Sequence, residues 1–278
     1  MNGPARFWAL AVVLTGMVLS MSGCRQLQAR DQLNKGCEAY KAGHYDEAIE
    51  HFQKATQLDP SLPTAKIYLA TALSQNVVPG ITTPDNMKMA NQAIDIFKQV
   101  LATKPNDAGS MKQIAGIYFS VNQMDDAKAW QLKVLAADPK DAEAAYTIGV
   151  IDWKKAHQNK LAALQSAGLN DDGKGNTKAP KNIMQTLAKQ NAPLVEEGLK
   201  YLQIAVDNRA NYDDAMQYIN LIYRNKADVD FGNASAVNDD LAKAQDWTNK
   251  AMDMRKQNEA KKNQGPGGIT MDSSGQMH

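Results

Sequence analysis

A spaced pattern of small residues and prolines constrains the fold of this chain more than any other sequence feature. The small residues that open the pattern stand 34, 45 and 34 positions apart, at Gly36, Ala70, Ala115 and Gly149. A column of alanines and a column of prolines both repeat at 45 and 34 positions, namely Ala48, Ala93, Ala127 and Pro60, Pro105, Pro139. Because independent columns share one set of intervals, the pattern predicts one structural unit repeated along the chain.

The unit is clearest over residues 36–60, where two short amphipathic helices are joined by a turn. Gly43 interrupts the pattern, and glycine accepts the positive φ that a tight turn between helices requires. Asp46 and Glu47 place negative charge in the first turn of the second helix, which the helix dipole favours. The apolar positions of that helix follow helical spacing and form one face, at Ala48, Ile49, Phe52 and Ala55. A hairpin of this size cannot bury its apolar face alone, so we expect hairpins to stack.

These residues resemble the tetratricopeptide repeat, which has a small residue in helix A, an alanine in helix B and a closing proline. The resemblance covers most of residues 30–256. It implies an all-α, right-handed solenoid of about five helix–turn–helix hairpins, with inserted loops in repeats two, four and five. It also implies a function in protein–protein interaction.

The first 24 residues resemble a bacterial lipoprotein signal. Arg6 is the one charged side chain before residue 25, an apolar run follows it, and the segment ends in LSMSGC at residues 19–24. The resemblance implies a signal peptide over 1–23, lipidation (palmitate) of Cys24, a tether over 24–30 and a periplasm-facing membrane anchor. Arg25 favours the outer membrane by the same resemblance. The alternatives are an ordinary signal peptide with an incidental cysteine, or an uncleaved anchor.

The rest of the chain divides by composition. We expect the solenoid over 31–256, with an insertion at about 157–192 inside the fourth repeat. The Gly-rich stretch 168–180 predicts a mobile loop, and residues 181–190 predict one extra helix. We expect deletion of 169–180 to change stability very little, because the cost of closing a loop varies slowly with its length. The Gly/Lys/Asn/Ser-rich segment 257–278 predicts a disordered tail.

In the family that the chain resembles, the A helices line a concave groove. Alignment of the repeats places aromatic and basic residues on that face, at Tyr40, Lys41, Lys112, Phe119, Tyr146, Trp153 and Arg224. Aromatic and arginine side chains dominate binding hot spots, so this face predicts a groove for a peptide of acidic character. The alternative is that the aromatic residues pack against the next helix or against the insertion.

Motifs of catalysis are missing from the sequence. It holds four histidines without metal-ligand spacing, and no Gly-rich phosphate loop, nucleophile elbow or CxxC motif. We therefore expect no enzyme activity, no cofactor and no metal, and we expect Cys37 to be a small, half-buried apolar residue. A net charge of +1 gives no global field that would attract nucleic acid.

Together these features predict a lipid-anchored, non-enzymatic adaptor of the cell envelope that binds a protein or peptide partner in the assembly of an envelope or secretion complex. A second hypothesis remains open. In it the protein is an accessory regulator of an envelope enzyme or a polysaccharide exporter, and the insertion at 157–192 makes the contact.

Overall fold

The computed structural model describes the backbone of residues 4–263 and the side chains of residues 23–263. Over this part of the chain the helices are joined by turns and loops, and there are no strands. The helices are α1 Pro4–Lys41, α2 Tyr45–Leu58, α3 Pro63–Asn76, α4 Pro84–Thr103, α5 Ala108–Ser120, α6 Met124–Ala137, α7 Ala142–Ser166, α8 Lys181–Asn208, α9 Asp213–Val229 and α10 Ala234–Asn263. Helix pairs pack as hairpins within each unit, α1 with α2, α3 with α4, α7 with α8 and α9 with α10. The predicted all-α fold is confirmed.

The chain divides into two compact units, and the division falls between Trp130 and Gln131, inside α6. Unit 1 holds α1 to α5 and the first part of α6. Its core is built from the predicted apolar faces, and the α2 residues Ala48, Ile49, Phe52 and Ala55 are all buried. Unit 2 holds the remainder of α6 and α7 to α10, and its core is centred on α8 and α9.

Glycine in helix A lets the two helices of a hairpin approach closely. A Cβ added at Gly36 would stand 2.5 Å from a ring carbon of Phe52 on α2. A Cβ added at Gly149 would overlap the Leu202 side chain on α8 in the same way. The predicted turn is also present, since Gly43 has a φ of +80° between α1 and α2.

The segment predicted as a tether, residues 24–30, is part of α1. Ala29 is fully buried and the Arg25 guanidinium donates to the carbonyl of Gln57 at 3.4 Å. Packing of the first hairpin therefore begins at Ala29 rather than at residue 31. The predicted signal peptide, apart from Gly23, lies outside the residues whose side chains are described. Where side chains are described, no helix has both the length and the apolar character needed to span a membrane.

The insertion at 157–192 takes a form that the sequence did not predict. It lengthens both helices of the fourth hairpin, α7 to 25 residues and α8 to 28 residues. The segment 181–190, predicted as a separate helix, is the first part of α8, which continues through Pro193 without a break.

The loop between α7 and α8 is packed rather than mobile as predicted. Asn176 is 3% exposed and its side-chain amide donates to Asp171 at 3.0 Å and to Asp228, at the end of α9, at 2.7 Å. The ammonium of Lys160 lies 2.7 Å from the Asp171 carboxylate and 3.4 Å from that of Asp228. Buried polar groups of this kind are stable only when paired, so the loop is fixed against α9.

The last hairpin also departs from prediction. The extra residues of repeat five lengthen α9 and α10 and leave only 230–233 between them, in place of an inserted loop. The predicted tail is helical over 257–263, and its remainder lies outside the described residues. Asn258 explains this extension, because its amide donates to the Asn211 carbonyl and to the Asp213 carboxylate, both at 2.9 Å.

Candidate functional site

Unit 1 contains an apolar pocket of about 300 Å³ between α1, α2 and α3. Its lining residues are Cys37, Tyr40, Lys41, Phe52, Tyr68 and Thr71. Two of the residues predicted from the sequence, Tyr40 and Lys41, are therefore brought together here. The pocket lies next to the close contact between Gly36 and Phe52, so the packing of the hairpin shapes its floor.

Aromatic rings form the walls of this pocket. The Tyr68 side chain is 41% exposed, and its ring centroid lies 5.7 Å from that of Phe52. Tyr40 is half-buried, with its ring 5.3 Å from that of Tyr45. Tilted ring pairs at these distances hold the rings in place. The pocket thus offers a rigid apolar surface to an incoming side chain.

The charge of the pocket comes from Lys41, which is exposed. Burial raises the pKa of the Cys37 thiol, although Lys41 lowers it in part. Burial also raises the pKa of the Tyr40 phenol. Both groups are therefore neutral at pH 7, and an apolar pocket beside a cation can hold an apolar side chain next to an anionic group.

The other residues predicted in unit 1 do not reach this pocket. Lys112 and Phe119 lie on α5, are half-buried, and are not among the lining residues. The predicted row that joined Tyr40 with Phe119 is therefore not seen in the pocket. Sequence analysis missed Tyr68 and Thr71, although Tyr68 lies in the apolar run of α3 and is the one aromatic residue of that helix.

In unit 2 an aromatic row lies where α7 meets α9; it consists of Tyr146, Trp153, Tyr212 and Tyr218. The Tyr146 ring centroid is 4.8 Å from that of Tyr212 and 5.6 Å from that of Tyr218, and Trp153 is 5.1 Å from Tyr218. All four side chains are half-buried. Tyr146 and Trp153 thus pack against the next A helix, as the alternative interpretation held, and each keeps part of its surface in solvent.

The phenols of this row are un-ionised. Burial raises the pKa of Tyr212 to about 12, and it raises the pKa of Tyr146 and of Tyr218 as well. His157 stacks on Trp153 with centroids 5.2 Å apart, and burial together with the nearby Lys160 ammonium lowers the pKa of its imidazole. The row is therefore a neutral aromatic surface at pH 7.

Arg224, predicted as a basic residue of the groove, forms hydrogen bonds within unit 2. Its guanidinium donates to the Asn220 side chain at 3.0 Å and to the Gly173 carbonyl at 3.3 Å. It therefore ties the α7–α8 loop to α9. Sequence analysis missed Tyr212, which directly precedes α9, and Tyr218, which lies in the first two turns of that helix.

No metal or catalytic centre emerges from the described residues. Among them, no group of three or more His, Cys, Asp or Glu side chains is placed to hold a metal ion. Asp213 and Asp214, the adjacent carboxylates at the start of α9, both pair with Arg255, at 2.8 and 3.2 Å. What the described surfaces can do chemically is bind side chains by apolar, aromatic and ionic contact.

Comparison with known proteins identifies the repeat. Residues 29–62 match one tetratricopeptide repeat model and residues 87–149 match a second. A search of curated protein sequences finds no relative. The matched segments include the Gly36–Pro60 unit and the third hairpin, from which the pattern was recognised.

Solved structures show the same fold. A MamA RS-1 double mutant is similar with a TM-score of 0.55 and 18% identity, covering 84% of this chain and 97% of that one. MamA 41-end from Desulfovibrio magneticus RS-1 gives 0.54 and 18%, covering 83% and 96%, and a further MamA structure gives 0.53 and 14%, covering 86% and 96%. Residues 29–62 and 87–149 are thus tetratricopeptide repeats, and the described residues, with their ten helices, have the all-α fold of these repeat structures.

Proposed function

We propose that this protein is a lipid-anchored adaptor of the bacterial cell envelope, which binds a peptide segment of a partner protein and has no enzymatic activity. The observation that carries the proposal is the apolar pocket of unit 1. It is about 300 Å³ in volume, is walled by Tyr40 and Tyr68, and lies within a matched tetratricopeptide repeat and the helix that follows it.

The pocket suits one large apolar side chain of the partner. Binding energy at interfaces concentrates where an apolar or aromatic anchor fills a preformed pocket, because both surfaces lose water there. Lys41 beside the pocket supplies the polar selectivity, since its ammonium attracts a carboxylate of the same segment. The expected ligand is therefore a segment with an apolar anchor flanked by an acidic residue.

The envelope location rests on Cys24 and the residues around it. Cys24 is exposed on α1, five residues before Ala29, which is the first fully buried residue among those whose side chains are described. A lipid chain attached there contributes about 0.8 kcal/mol for each CH₂ that enters the bilayer, so two or three chains anchor stably. An adaptor held in this way presents its binding surfaces close to the membrane, where envelope or secretion complexes assemble.

A selection from a random peptide library tests the binding proposal. The full-length chain in detergent is the bait, and selected peptides are then titrated by fluorescence anisotropy. Thr71→Leu fills the pocket, so we expect it to weaken binding by at least about tenfold through steric exclusion. Thr248→Leu is the matched control, because Thr71 and Thr248 are both half-buried helical threonines that donate to the carbonyl four residues earlier.

Two results would contradict the proposal. One is a selection that enriches no peptide above a detergent-only bait. The other is a set of peptides whose affinity is unchanged by Thr71→Leu, because a ligand that tolerates a filled pocket does not bind in it.

A further inference from the structure

The loop between α3 and α4, residues 77–83, presents two apolar side chains to solvent. Val78 is 53% exposed and Ile81 is 43% exposed. We propose that this loop inserts Ile81 into the unit 1 pocket of a second copy of the chain. The inference rests on the proposed function, because it names a partner for the same pocket. Each molecule then carries both the pocket and a ligand for it.

The tip of the α3–α4 loop is a tight turn whose conformation follows from its sequence. It runs from Val78 to Ile81, and the Ile81 amide donates to the Val78 carbonyl at 3.4 Å. Pro79 at the second position and Gly80 at the third, with a φ of +78°, are the residues that a type II turn favours. The turn therefore places Val78 and Ile81 close to each other at its two ends.

A buried asparagine fixes this turn to α4. Asn86 is 3% exposed, and its side-chain oxygen accepts from the Val78 amide at 2.8 Å. The side-chain amide of Asn86 donates to the Val78 carbonyl at 3.0 Å and to the Ile81 carbonyl at 2.6 Å. The Gly80 amide donates to the Ser120 carbonyl on α5 at 2.8 Å. Because the loop is already ordered, binding it to a partner costs little conformational entropy.

A loop of this length is not needed to join two helices of a repeat. Residues 42–44 join α1 to α2 and residues 121–123 join α5 to α6, whereas residues 77–83 join α3 to α4. Packing of the hairpin therefore does not explain why the longer loop carries exposed apolar side chains. Apolar residues that are exposed together, in contrast to those scattered singly, mark interaction sites.

The loop is held away from the pocket of its own molecule. The pocket lies between α1, α2 and α3, and the described residues that line it include none from 77–83. Hydrogen bonds fix the tip of the loop to Asn86 on α4 and to Ser120 on α5. The pocket that Ile81 can enter is therefore that of another molecule, and the contact is head-to-tail, a loop of one copy against a pocket of the next.

The pocket suits the side chain that the loop presents. Its volume of about 300 Å³ is large enough for a branched aliphatic side chain such as Ile81, and the rings of Tyr40 and Tyr68 form its walls. Transfer of such a side chain from water to an apolar pocket is favourable, since it removes apolar surface from solvent. Both sides of the contact are preformed, one by ring packing and the other by Asn86.

The charges beside the loop and beside the pocket are complementary. Asp85 is exposed in the first turn of α4, four positions after Ile81. Lys41 is exposed and is the one charged residue among those lining the pocket. The loop thus has the pattern expected of the ligand, an apolar anchor followed by an acidic residue, and a carboxylate near a lysine favours this register over others.

Sedimentation of the full-length chain in density-matched detergent, over a range of protein concentrations, tests the inference. One inserted loop buries too little surface for a permanent interface, so we expect reversible association in the micromolar range. Ile81→Ser removes the anchor and Thr71→Leu fills the pocket, and each should raise the dissociation constant at least about tenfold. Leu161→Ser is the matched control, because Leu161 is 46% exposed in unit 2 and should not affect association.

A mixture of the two defective chains distinguishes this contact from other modes of association. Ile81→Ser retains an open pocket, and Thr71→Leu retains an intact loop. We expect neither variant to associate with itself, whereas the mixture should form a dimer that does not grow further. A fluorescent label on one variant measures its binding to the other with the affinity of the native contact.

Charge reversal tests the register of the contact. Lys41→Glu should weaken self-association by at least about threefold, because it places a like charge beside Asp85 of the other copy. Asp85→Lys should have the same effect, and a chain carrying both changes should regain the native affinity. Both positions are exposed, so these variants decide the question if Thr71→Leu does not fold. Thermal melting establishes that each variant is folded.

The inference is overturned if the native chain sediments as a single species at all concentrations, or if Ile81→Ser and the charge reversals leave its association unchanged. An equal loss in Leu161→Ser, or a mixture of the two defective chains that fails to associate, also overturns it. A chain that does not self-associate but binds library-selected peptides in a manner sensitive to Thr71→Leu loses this inference and keeps the proposed function.

Discussion

Single glycines decide how closely paired helices approach in this protein. Gly149 on α7 faces Leu202, which is fully buried on α8, and an added Cβ would also stand 3.2 Å from the Gly198 carbonyl. Gly116 on α5 is also helical, yet an added Cβ there would meet nothing within 4 Å. The same substitution should therefore have opposite effects at the two sites.

We expect Gly149→Ala to lower the free energy of unfolding by about 1–3 kcal/mol, because the core must shift to accept the methyl group. Gly116→Ala should raise it by about 0.5–1 kcal/mol, because alanine loses less backbone entropy in a helix. Chemical denaturation measures both. Equal effects of the two substitutions would mean that Gly149 does not limit the approach of α7 to α8.

A second residue-scale prediction concerns Asp228, which is 1% exposed. Burial raises its pKa from 3.8 to about 6, although Lys160 and Asn176 act to lower it. Between pH about 4 and 6 the folded state therefore binds more protons at this site than the unfolded state. The contribution of Asp228 to stability is most favourable below pH 4 and declines as the pH rises to 6.

This sign is opposite to that of Asp171, where hydrogen bonds from Lys160, Gly173 and Asn176 outweigh burial and lower the pKa. The Asp171 contribution is present above pH 3.8 and is lost below it. We expect the native chain to lose stability relative to Asp228→Asn as the pH is raised from 4 to 6. Parallel curves of unfolding free energy against pH for the two proteins would contradict the assignment.

At the scale of elements, the hairpin pattern was predictable and the insertion was not. Helix faces such as that of α2 follow from local spacing, which the sequence displays directly. The α7–α8 loop is packed because charged residues from elsewhere in the sequence pair with it. Lys160 pairs with Asp171, 11 positions away, and Asp228 accepts a hydrogen bond from Asn176, 52 positions away. The glycines and polar residues of this loop predict mobility when only local sequence is considered, because pairing between distant residues produces no periodic pattern in the sequence.

Some residues of the candidate sites could also be predicted from the repeat pattern, and others could not. Tyr40 and Lys41 were predicted because the repeat places them on helix A, and Tyr146 and Trp153 for the same reason. The role of Arg224 was missed because its partner, the Gly173 carbonyl, belongs to the loop that was taken to be mobile. The aromatic row is completed by Tyr212 and Tyr218 from the start of α9, and a periodic pattern does not show which helix ends meet.

Asn176 tests whether the loop is part of the fold. It adopts a φ of +47°, and its amide satisfies both Asp171 and Asp228. Asn176→Ala leaves the buried Asp228 Oδ1 without its donor and should lower the free energy of unfolding by at least about 2 kcal/mol.

Asn170→Ala, in the same loop at an exposed position, is the control and should change stability by less than about 0.5 kcal/mol. Deletion of 169–180 should likewise be costly, in contrast to the expectation from loop length alone. A deletion variant as stable as the native chain would show that the buried charges do not hold the loop in solution.

For the molecule as a whole, a net charge of +1 conceals surfaces of different character. The pocket of unit 1 has a lysine beside it, whereas Asp213 and Asp214 at the start of α9 in unit 2 pair with Arg255. The charge beside a binding surface is therefore not revealed by the total. The net charge of the whole chain gives no global electrostatic field that would attract nucleic acid, and local charge determines which peptides bind.

The chain offers its own control for the proposed membrane anchor, since it contains two cysteines that differ in environment. Cys24 is exposed on α1, whereas Cys37 is half-buried in the unit 1 pocket, where burial raises the pKa of its thiol. The lipoprotein interpretation requires modification at Cys24 alone, because the motif that it resembles ends at that residue.

Cells expressing the native chain with an alkyne-labelled palmitate analogue should yield labelled protein. Cys24→Ser should abolish the label, and Cys37→Ser should leave it unchanged. Label that persists in Cys24→Ser, or is absent from the native chain, would contradict the lipid anchor without affecting the peptide-binding proposals. If the label is confined to Cys24, only about 8 Å of helix separates the lipid from Ala29, at 1.5 Å per residue. Unit 1 is then held against the bilayer surface, and its partners must be proteins that come equally close to the membrane.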